Sequence, residues 1–202
     1  VMNARNRAPV LARLMERPTG FAAARQLPVW HRDPFRDDEL DDSAPNAVLF
    51  ADTFNRYFEP ENLRAAARVL QAAGLSAAVA RPAPAGRPLC CGRTFLSAGL
   101  IDQARNEARR LLDALVPFAE RGAAIIGLEP SCLLTLRDEI PGLLPGRQSE
   151  LVAGQAVMLE EHLARQAGDG KLELNQKAPA KKLLLHGHCH QKAFDIVSDV
   201  EA

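Results

Sequence analysis

An amphipathic helical segment between two short apolar runs is the feature that most restricts the fold of this chain. The runs at 46–52 and 75–80 each have the length of a buried strand and end at turn-forming residues. Between them, Pro60 opens a segment whose apolar residues recur at helical spacing until Gly74. A strand, a helix and a strand in this order form a βαβ unit with parallel strands. We therefore expect an α/β fold with a mostly parallel sheet flanked by helices.

The pattern continues toward the C-terminus. Apolar residues at helical spacing predict a long helix over 99–120, kinked or restarted at Pro117, and a third strand at 123–128. Later elements are predicted as helices over 133–139 and 150–166, a short edge strand at 172–174 and a strand over 181–186.

Residues 1–45 lack sustained periodicity and carry several prolines, so they are interpreted as a connector. Within the connector, Trp30 and Phe35 are expected to anchor the segment on the rest of the protein, because large aromatic side chains are mostly buried.

Composition argues against several classes of protein. The 25 basic and 25 acidic residues cancel, so the charge gives no attraction to nucleic acid or to a membrane surface. No window approaches the roughly 18 uninterrupted apolar residues of a membrane span. The first residues lack the apolar core of a signal peptide. Four cysteines indicate a reducing compartment, and we expect the protein in the cytoplasm or peripheral at the cytoplasmic face of a membrane.

All four cysteines follow predicted strands. Cys90 and Cys91 are adjacent at a strand-to-helix turn, where Gly92 lets the backbone turn sharply. Cys132 follows the third strand and Cys189 follows the last one. In open α/β sheets, sites form at the carboxyl ends of the strands. The free N–H groups at a helix start also favour ionised sulfur, so we expect these turns to bear cysteine chemistry.

Three chemical interpretations compete for Cys90, Cys91 and Cys132. Thiolates on rigid turns bind an iron–sulfur cluster or zinc, although the chain has no C-x-x-C pair. Adjacent cysteines can also form a strained, reducible disulfide. Alternatively, each cysteine is a small buried hydrophobic residue. An adjacent pair followed by glycine favours the first two interpretations.

Histidines alternate with the last cysteine. In an extended segment, His186, His188 and His190 would lie on one side and Cys189 on the other. The imidazoles could bind zinc or iron, or could satisfy backbone groups at the strand end.

Two charged residues flank the cysteines. Glu129 is either a carboxylate ligand or the cap of the helix that follows it. Arg93 either stabilises thiolates or pairs with an acid. The chain contains no glycine-rich nucleotide fingerprint, so nothing in it indicates a flavin site.

Four segments resemble one protein family. They are LFADTFNRYFEPENLRAAARVLQAAG, LCCGRTFLSAGLIDQAR, GLEPSCLLTLRDE and LLLHGHCHQKAF. Together they are similar to the cysteine-rich "CCG" domain of FAD-linked 2-hydroxy-acid dehydrogenases of the glycolate and D-lactate type. The same domain occurs in the iron–sulfur subunit of glycolate oxidase and in heterodisulfide reductase. The resemblance extends from Ala47 to Phe194.

This resemblance implies an electron-transfer domain of an oxidoreductase that is inactive alone. It implies a 4Fe-4S type of iron–sulfur cluster with Cys90, Cys91, Cys132 and Cys189 as metal ligands. Glu129, His188 and His190 are further candidate ligands from their chemistry alone. FAD would belong to a separate domain, and the partners would be flavin and ferredoxin-type domains of the same enzyme. By the same resemblance, 1–45 is the connector, 46–180 the first cysteine-rich repeat and 181–202 the start of a second.

The chain departs from the family pattern at two positions. The family repeat reads as one cysteine, then Cys-Cys-Gly, then C-x-x-C. Here Asp52 and its neighbours carry no thiol, and Glu129 replaces the first cysteine of the C-x-x-C. Three thiols therefore remain in the first repeat. The alternative function is a non-catalytic docking module whose cysteines bind structural zinc or no metal.

Two geometric expectations follow. The sulfurs of Cys90 and Cys132 should lie roughly 4–7 Å apart, as ligands of one metal site do. The strand ending at His186 should lie beside the sheet, with Cys189 facing the turn of Cys90 and Cys91.

Overall fold

The structure, a computed structural model, describes residues 2–40, 44–82, 86–172, 182 and 184–201. The strands in these residues are β1 (Ala47–Leu49), β2 (Ala77–Val79), β3 (Ala124–Gly127) and β4 (Ala156–Met158). The helices are α1 (Met2–Arg7), α2 (Pro9–Thr19), α3 (Thr53–Tyr57), α4 (Pro60–Ala72), α5 (Arg93–Ser97), α6 (Ile101–Ala119), α7 (Pro130–Arg137), α8 (Glu139–Leu143), α9 (Arg147–Gln155), α10 (Leu159–Gly168), α11 (Cys189–Ala193) and α12 (Ser198–Glu201).

The sheet confirms the predicted α/β class. Within the described residues its four strands are all parallel, in the order β2-β1-β3-β4. The chain therefore adds β2 on one side of β1 and then returns to add β3 on the other. In such sheets the strand order reverses between β1 and β3, and a crevice opens there at the carboxyl ends of the strands.

Each face of the sheet is covered by its own apolar cluster. Along β1, Val48 packs toward α6 and α7 on one face, and Leu49 packs toward α4 on the other. This alternation is the two-residue period of a strand. The predicted βαβ unit and the predicted long helix account for these layers, and α6 continues through Pro117 without a restart.

The helix predicted over 150–166 is wrong. The chain forms α9, then β4, then α10, because Ala156, Val157 and Met158 pair with β3 and are buried. The apolar spacing fits a helix, but strand pairing and burial of these three residues override it.

The strand predicted over 181–186 does not form in the part of this range that the structure describes, residues 182 and 184–186. Lys181 and Leu183 lie outside the described residues, as do positions 173 and 174 of the predicted edge strand, and Leu172 is in no strand. Leu184 and Leu185 are exposed and outside any strand, since the edge next to β3 is taken by β4.

The connector contains the helices α1 and α2 and is tied to the domain by aromatic residues. Phe35 is buried in the cluster beneath α4, as expected. Trp30 is exposed rather than buried, although its ring lies 5.1 Å from that of Tyr57 and 5.0 Å from that of Phe58. Across the described stretches, no helix has both the length and the apolar character needed to cross a membrane.

Candidate metal and redox site

Three of the four cysteines line one cavity at the carboxyl edge of the sheet. Cys90 and Cys91 lie between β2 and α5, and Cys132 lies in the first turn of α7, directly after β3. They border a cavity of about 230 Å³, here called the thiol cavity. Its other lining residues are Thr53, Phe54, Arg93, Thr94, Ser97 and Ser131. The strands β2 and β3 are not neighbours, because β1 lies between them, but the segments that follow them bring Cys90 and Cys132 to the same cavity.

Gly92 makes this arrangement possible. Its φ of +80° lies in the left-handed region, which residues other than glycine rarely adopt. A Cβ at this position would lie 3.1 Å from the Ala104 carbonyl oxygen and 3.2 Å from Cβ of Glu107. On an extended backbone adjacent side chains point to opposite sides. The turn at Gly92 instead lets Cys90 and Cys91 reach the same cavity.

The pKa of each cysteine in the adjacent pair is raised. The pKa of Cys91 is raised to about 12, first by its hydrogen bond with Cys132 and then by burial. The pKa of Cys90 is raised too, first by its hydrogen bond with Cys91 and then by burial. The backbone N–H groups of Gly92 and Arg93 favour ionised sulfur, as expected of a helix start, and lower the pKa of Cys90 and Cys91 respectively. The neighbouring thiols and burial outweigh this effect.

Both charged neighbours act as structural partners. Arg93 forms an ion pair with Glu139 of α8, so the partner of its positive charge is a carboxylate. Glu129 caps α7, where its Oε1 accepts hydrogen bonds from the Ser131 backbone N–H at 3.3 Å and the Ser131 hydroxyl at 2.6 Å. Glu129 does not line the thiol cavity.

A second group of ligands stands at the start of α11. Ligand atoms of His188, Cys189 and His190 all lie within 4.8 Å of one another. The Cys189 sulfur is 3.8 Å from Nδ1 of His188 and 3.7 Å from Nδ1 of His190. Among the residues that can be judged, no other group of three or more such ligands is this close. We call these three residues the His-Cys-His group.

The predicted separation of histidines and cysteine on opposite sides is wrong. The helix begins at Cys189, so consecutive side chains fan around its first turn instead of alternating. His188 is the N-cap, and its Nδ1 accepts a hydrogen bond from the His190 backbone N–H at 3.2 Å. His186 is exposed and does not belong to the group.

The two groups of ligands lie at the same edge of the protein. Helix α11 packs against α7, the helix that carries Cys132. The pKa of His190 is lowered, first by burial and then by the charge of Arg93, a residue that also lines the thiol cavity. Cys189 itself is exposed and does not line the cavity. The four cysteines thus form a set of three and a single cysteine flanked by histidines.

The turn after β1 also lines the thiol cavity, although its sequence carries no thiol. Thr53 and Phe54 line the thiol cavity, and Asp52 beside them is almost fully buried. Burial raises the pKa of Asp52, and its carboxylate accepts hydrogen bonds from the backbone N–H groups of Phe54 and Asn55. Their position after a strand next to the reversal of strand order could have identified them.

Comparisons of the chain with models of protein families, with curated proteins and with solved structures found no match.

Proposed function

We propose that this chain is the cysteine-rich electron-transfer domain of an FAD-linked 2-hydroxy-acid dehydrogenase. One observation carries the proposal: Cys90, Cys91 and Cys132, from segments after two different strands, line one buried cavity. Three thiols gathered in this way are suited to a soft metal centre rather than to packing alone. The resemblance of the surrounding motifs to the CCG domain supplies the class of enzyme.

The thiol cavity fits a metal centre in its donors and in its shielding. Cys91 and Cys132 are only 4% and 5% exposed, so bulk water has little access to their sulfurs. In a 4Fe-4S cluster the thiolates bind different irons, so three thiolates would leave one iron for another ligand. An iron–sulfur cluster bound there would supply one-electron transfer between a flavin and an acceptor. To bind it, the chain must release the thiol protons that burial and mutual hydrogen bonding hold in place.

The parent enzyme would contain the flavin and ferredoxin-type clusters in other domains. These domains are the partners that we propose, together with an electron acceptor. All four cysteines are free, which supports a reducing compartment and, by inference, a cytoplasmic location. On this proposal the chain alone does not oxidise a hydroxy acid.

Anaerobic purification of the chain tests the proposal. We expect brown protein with visible absorbance, bound iron and acid-labile sulfide after anaerobic reconstitution. Cys132→Ser should lose iron and colour, whereas Cys189→Ser should keep the colour, because Cys189 lies outside the thiol cavity. Colourless protein with neither iron nor sulfide would contradict the proposal.

The second candidate function is a docking module held together by zinc. The His-Cys-His group favours it, since imidazole and thiolate are the donors of structural zinc sites. This candidate predicts colourless protein with one bound zinc, lost in His190→Ala. Thermal unfolding with and without a chelator would then show zinc-dependent stability.

A further inference from the structure

A second cavity at the carboxyl edge shares the side chain of Phe54 with the thiol cavity. It has a volume of about 680 Å³ and is bounded by α3, α4 and the residues after β3. We call it the aromatic cavity. A volume of this size is within the usual range for sites that bind small organic molecules. It also lies where the strand order reverses, the place where ligands bind in such sheets.

The lining of the aromatic cavity is mainly apolar. Eight of its twelve described lining residues are apolar, and they include the rings of Phe54 and Phe58. The two ring centroids are 6.4 Å apart and tilted by 37°. Phe54 is 53% exposed, so its ring has a large face that is not covered by the protein. An apolar or aromatic body in the cavity would remove this surface from water.

The polar groups of the cavity are acceptors. Glu59 and Glu129 contribute carboxylates, and none of the described lining residues is a lysine, arginine or histidine. The side-chain NH₂ of Asn62 donates to Asn55 Oδ1 at 3.0 Å and to Glu59 Oε2 at 3.1 Å, so both of its donors are used. The polar groups that face a ligand in this cavity are therefore the carboxylates of Glu59 and Glu129, which are negatively charged and accept hydrogen bonds.

This charge selects among ligands. A phosphate or a carboxylate, including a 2-hydroxy acid, would be repelled by the two glutamates. A ligand with a protonated amine would be attracted by the carboxylates, could donate hydrogen bonds to them, and could also contact the faces of the phenylalanine rings.

We propose that the aromatic cavity binds an organic cation: a molecule with an apolar or aromatic body and a protonated amine. The body packs on Phe54 and Phe58, and the amine lies at Glu59. This site is separate from the thiol cavity and does not depend on a metal there, although Phe54 lines both.

Titration of the ¹⁵N-labelled chain with three indoles, followed by NMR, tests the proposal. Tryptamine carries a positive charge, tryptophol is neutral, and indole-3-propionate is negative, while the ring is the same in all three. We expect tryptamine to bind with a dissociation constant in the millimolar range, as small ligands do, and to shift the amide signals of Asn62 and Ala66. Tryptophol should bind more weakly, and indole-3-propionate the most weakly.

Two variants locate the site. Glu59→Gln should weaken tryptamine binding about fivefold, the effect of one charge at close range in water, and leave tryptophol binding unchanged. Glu61→Gln is the matched control, because Glu61 is an exposed carboxylate only two residues away, in the first turn of α4. It pairs with Arg64 and does not line the cavity. Ala65→Trp should abolish binding of both indoles by filling the cavity.

The proposal fails if the three indoles bind equally, if none binds, or if Glu61→Gln weakens binding as much as Glu59→Gln. If Ala65→Trp does not fold, as judged by its NMR spectrum, the comparison of the two glutamate variants decides the question, since both residues are exposed. None of these measurements requires iron, so failure here is distinct from failure of the proposed electron-transfer function.

Discussion

Gly92 lies against the backbone of Ala104, so close that a Cβ at position 92 would meet the Ala104 carbonyl oxygen at 3.1 Å. The turn that carries Cys90 and Cys91 is therefore packed directly onto α6. Glu107, one turn further along α6, is buried and forms ion pairs with Arg87 and Arg110. The position of the cysteine pair depends on this contact as well as on the sheet.

Gly92→Ala should destabilise the protein for two reasons, a left-handed φ and a tight contact with the backbone of Ala104. We expect a loss of about 1–3 kcal/mol in the free energy of unfolding, measured by urea denaturation. Gly122→Ala is the control, because Gly122 has a φ of +74° but nothing within 4 Å of its would-be Cβ. If the two variants lose equal stability, the contact with Ala104 contributes nothing.

The four cysteines should differ in their reactivity in the metal-free protein. Cys189 is exposed, whereas Cys91 and Cys132 are buried. A thiol-specific reagent should therefore modify Cys189 first, and all four cysteines should react in urea. The fast phase should disappear in Cys189→Ser. A fast phase that persists in this variant would show that the thiol cavity opens readily in solution.

The ion pair between Glu39 and Arg64 should make stability depend on pH. The hydrogen bond from Arg64 lowers the pKa of Glu39 below its ordinary value of 4.5. The unfolded chain therefore takes up this proton at a higher pH than the folded protein does, and the stabilisation is complete above that value. It is lost as the pH falls through the lower pKa of the folded state.

Unfolding of the protein and of Glu39→Gln from pH 7 to pH 3 checks this expectation. The difference in stability between them should be greatest near neutral pH and should vanish in acid. A difference that stays constant over this range would mean that the carboxylate is not involved.

The buried carboxylate of Glu161 joins α10 to α7 and should be costly to remove. It accepts hydrogen bonds from Arg137 at 2.8 and 2.7 Å and is 2% exposed. Glu161→Gln should cost about 3–5 kcal/mol, because Arg137 is left without a counter-charge. Asp102→Asn, which breaks an exposed pair with Arg105, should cost less than about 1 kcal/mol.

A double variant separates charge from packing in this pair. If the loss comes from the unpaired charge, Arg137→Met combined with Glu161→Met should cost less than Glu161→Gln alone. Chemical denaturation of the three proteins measures this, and a larger loss in the double variant would show that the pair itself is stabilising.

Sequence patterns were sufficient for the parts of the fold that are set by local periodicity. β1, β2 and β3 are short apolar runs between turn formers, and α4 and α6 have long amphipathic faces, so both kinds of element are visible without tertiary information. β4 was missed because its three residues lie in a segment with helical spacing. Only pairing with β3 distinguishes it, and pairing is a long-range contact.

The same limit applies to the candidate site. The positions of Cys90, Cys91 and Cys132 after strands placed them at one edge, since parallel strands end on the same side. The geometry around Cys189 was predicted wrongly, because the end of an extended segment and the start of a helix look alike in the sequence. The role of Phe54 as a wall shared by two cavities depends on how α3 packs, which no local pattern shows.

Gly127 lies so close to α7 that a Cβ there would stand 2.8 Å from the Leu133 side chain. The end of β3 is therefore packed tightly against the start of α7, the turn that carries Cys132. A slip of β3 by one residue along the sheet would displace this sulfur by about 3.3 Å, more than the length of a bond to a metal. The register of β3 against β1 therefore helps to set the distance between the Cys132 sulfur and the sulfurs of Cys90 and Cys91.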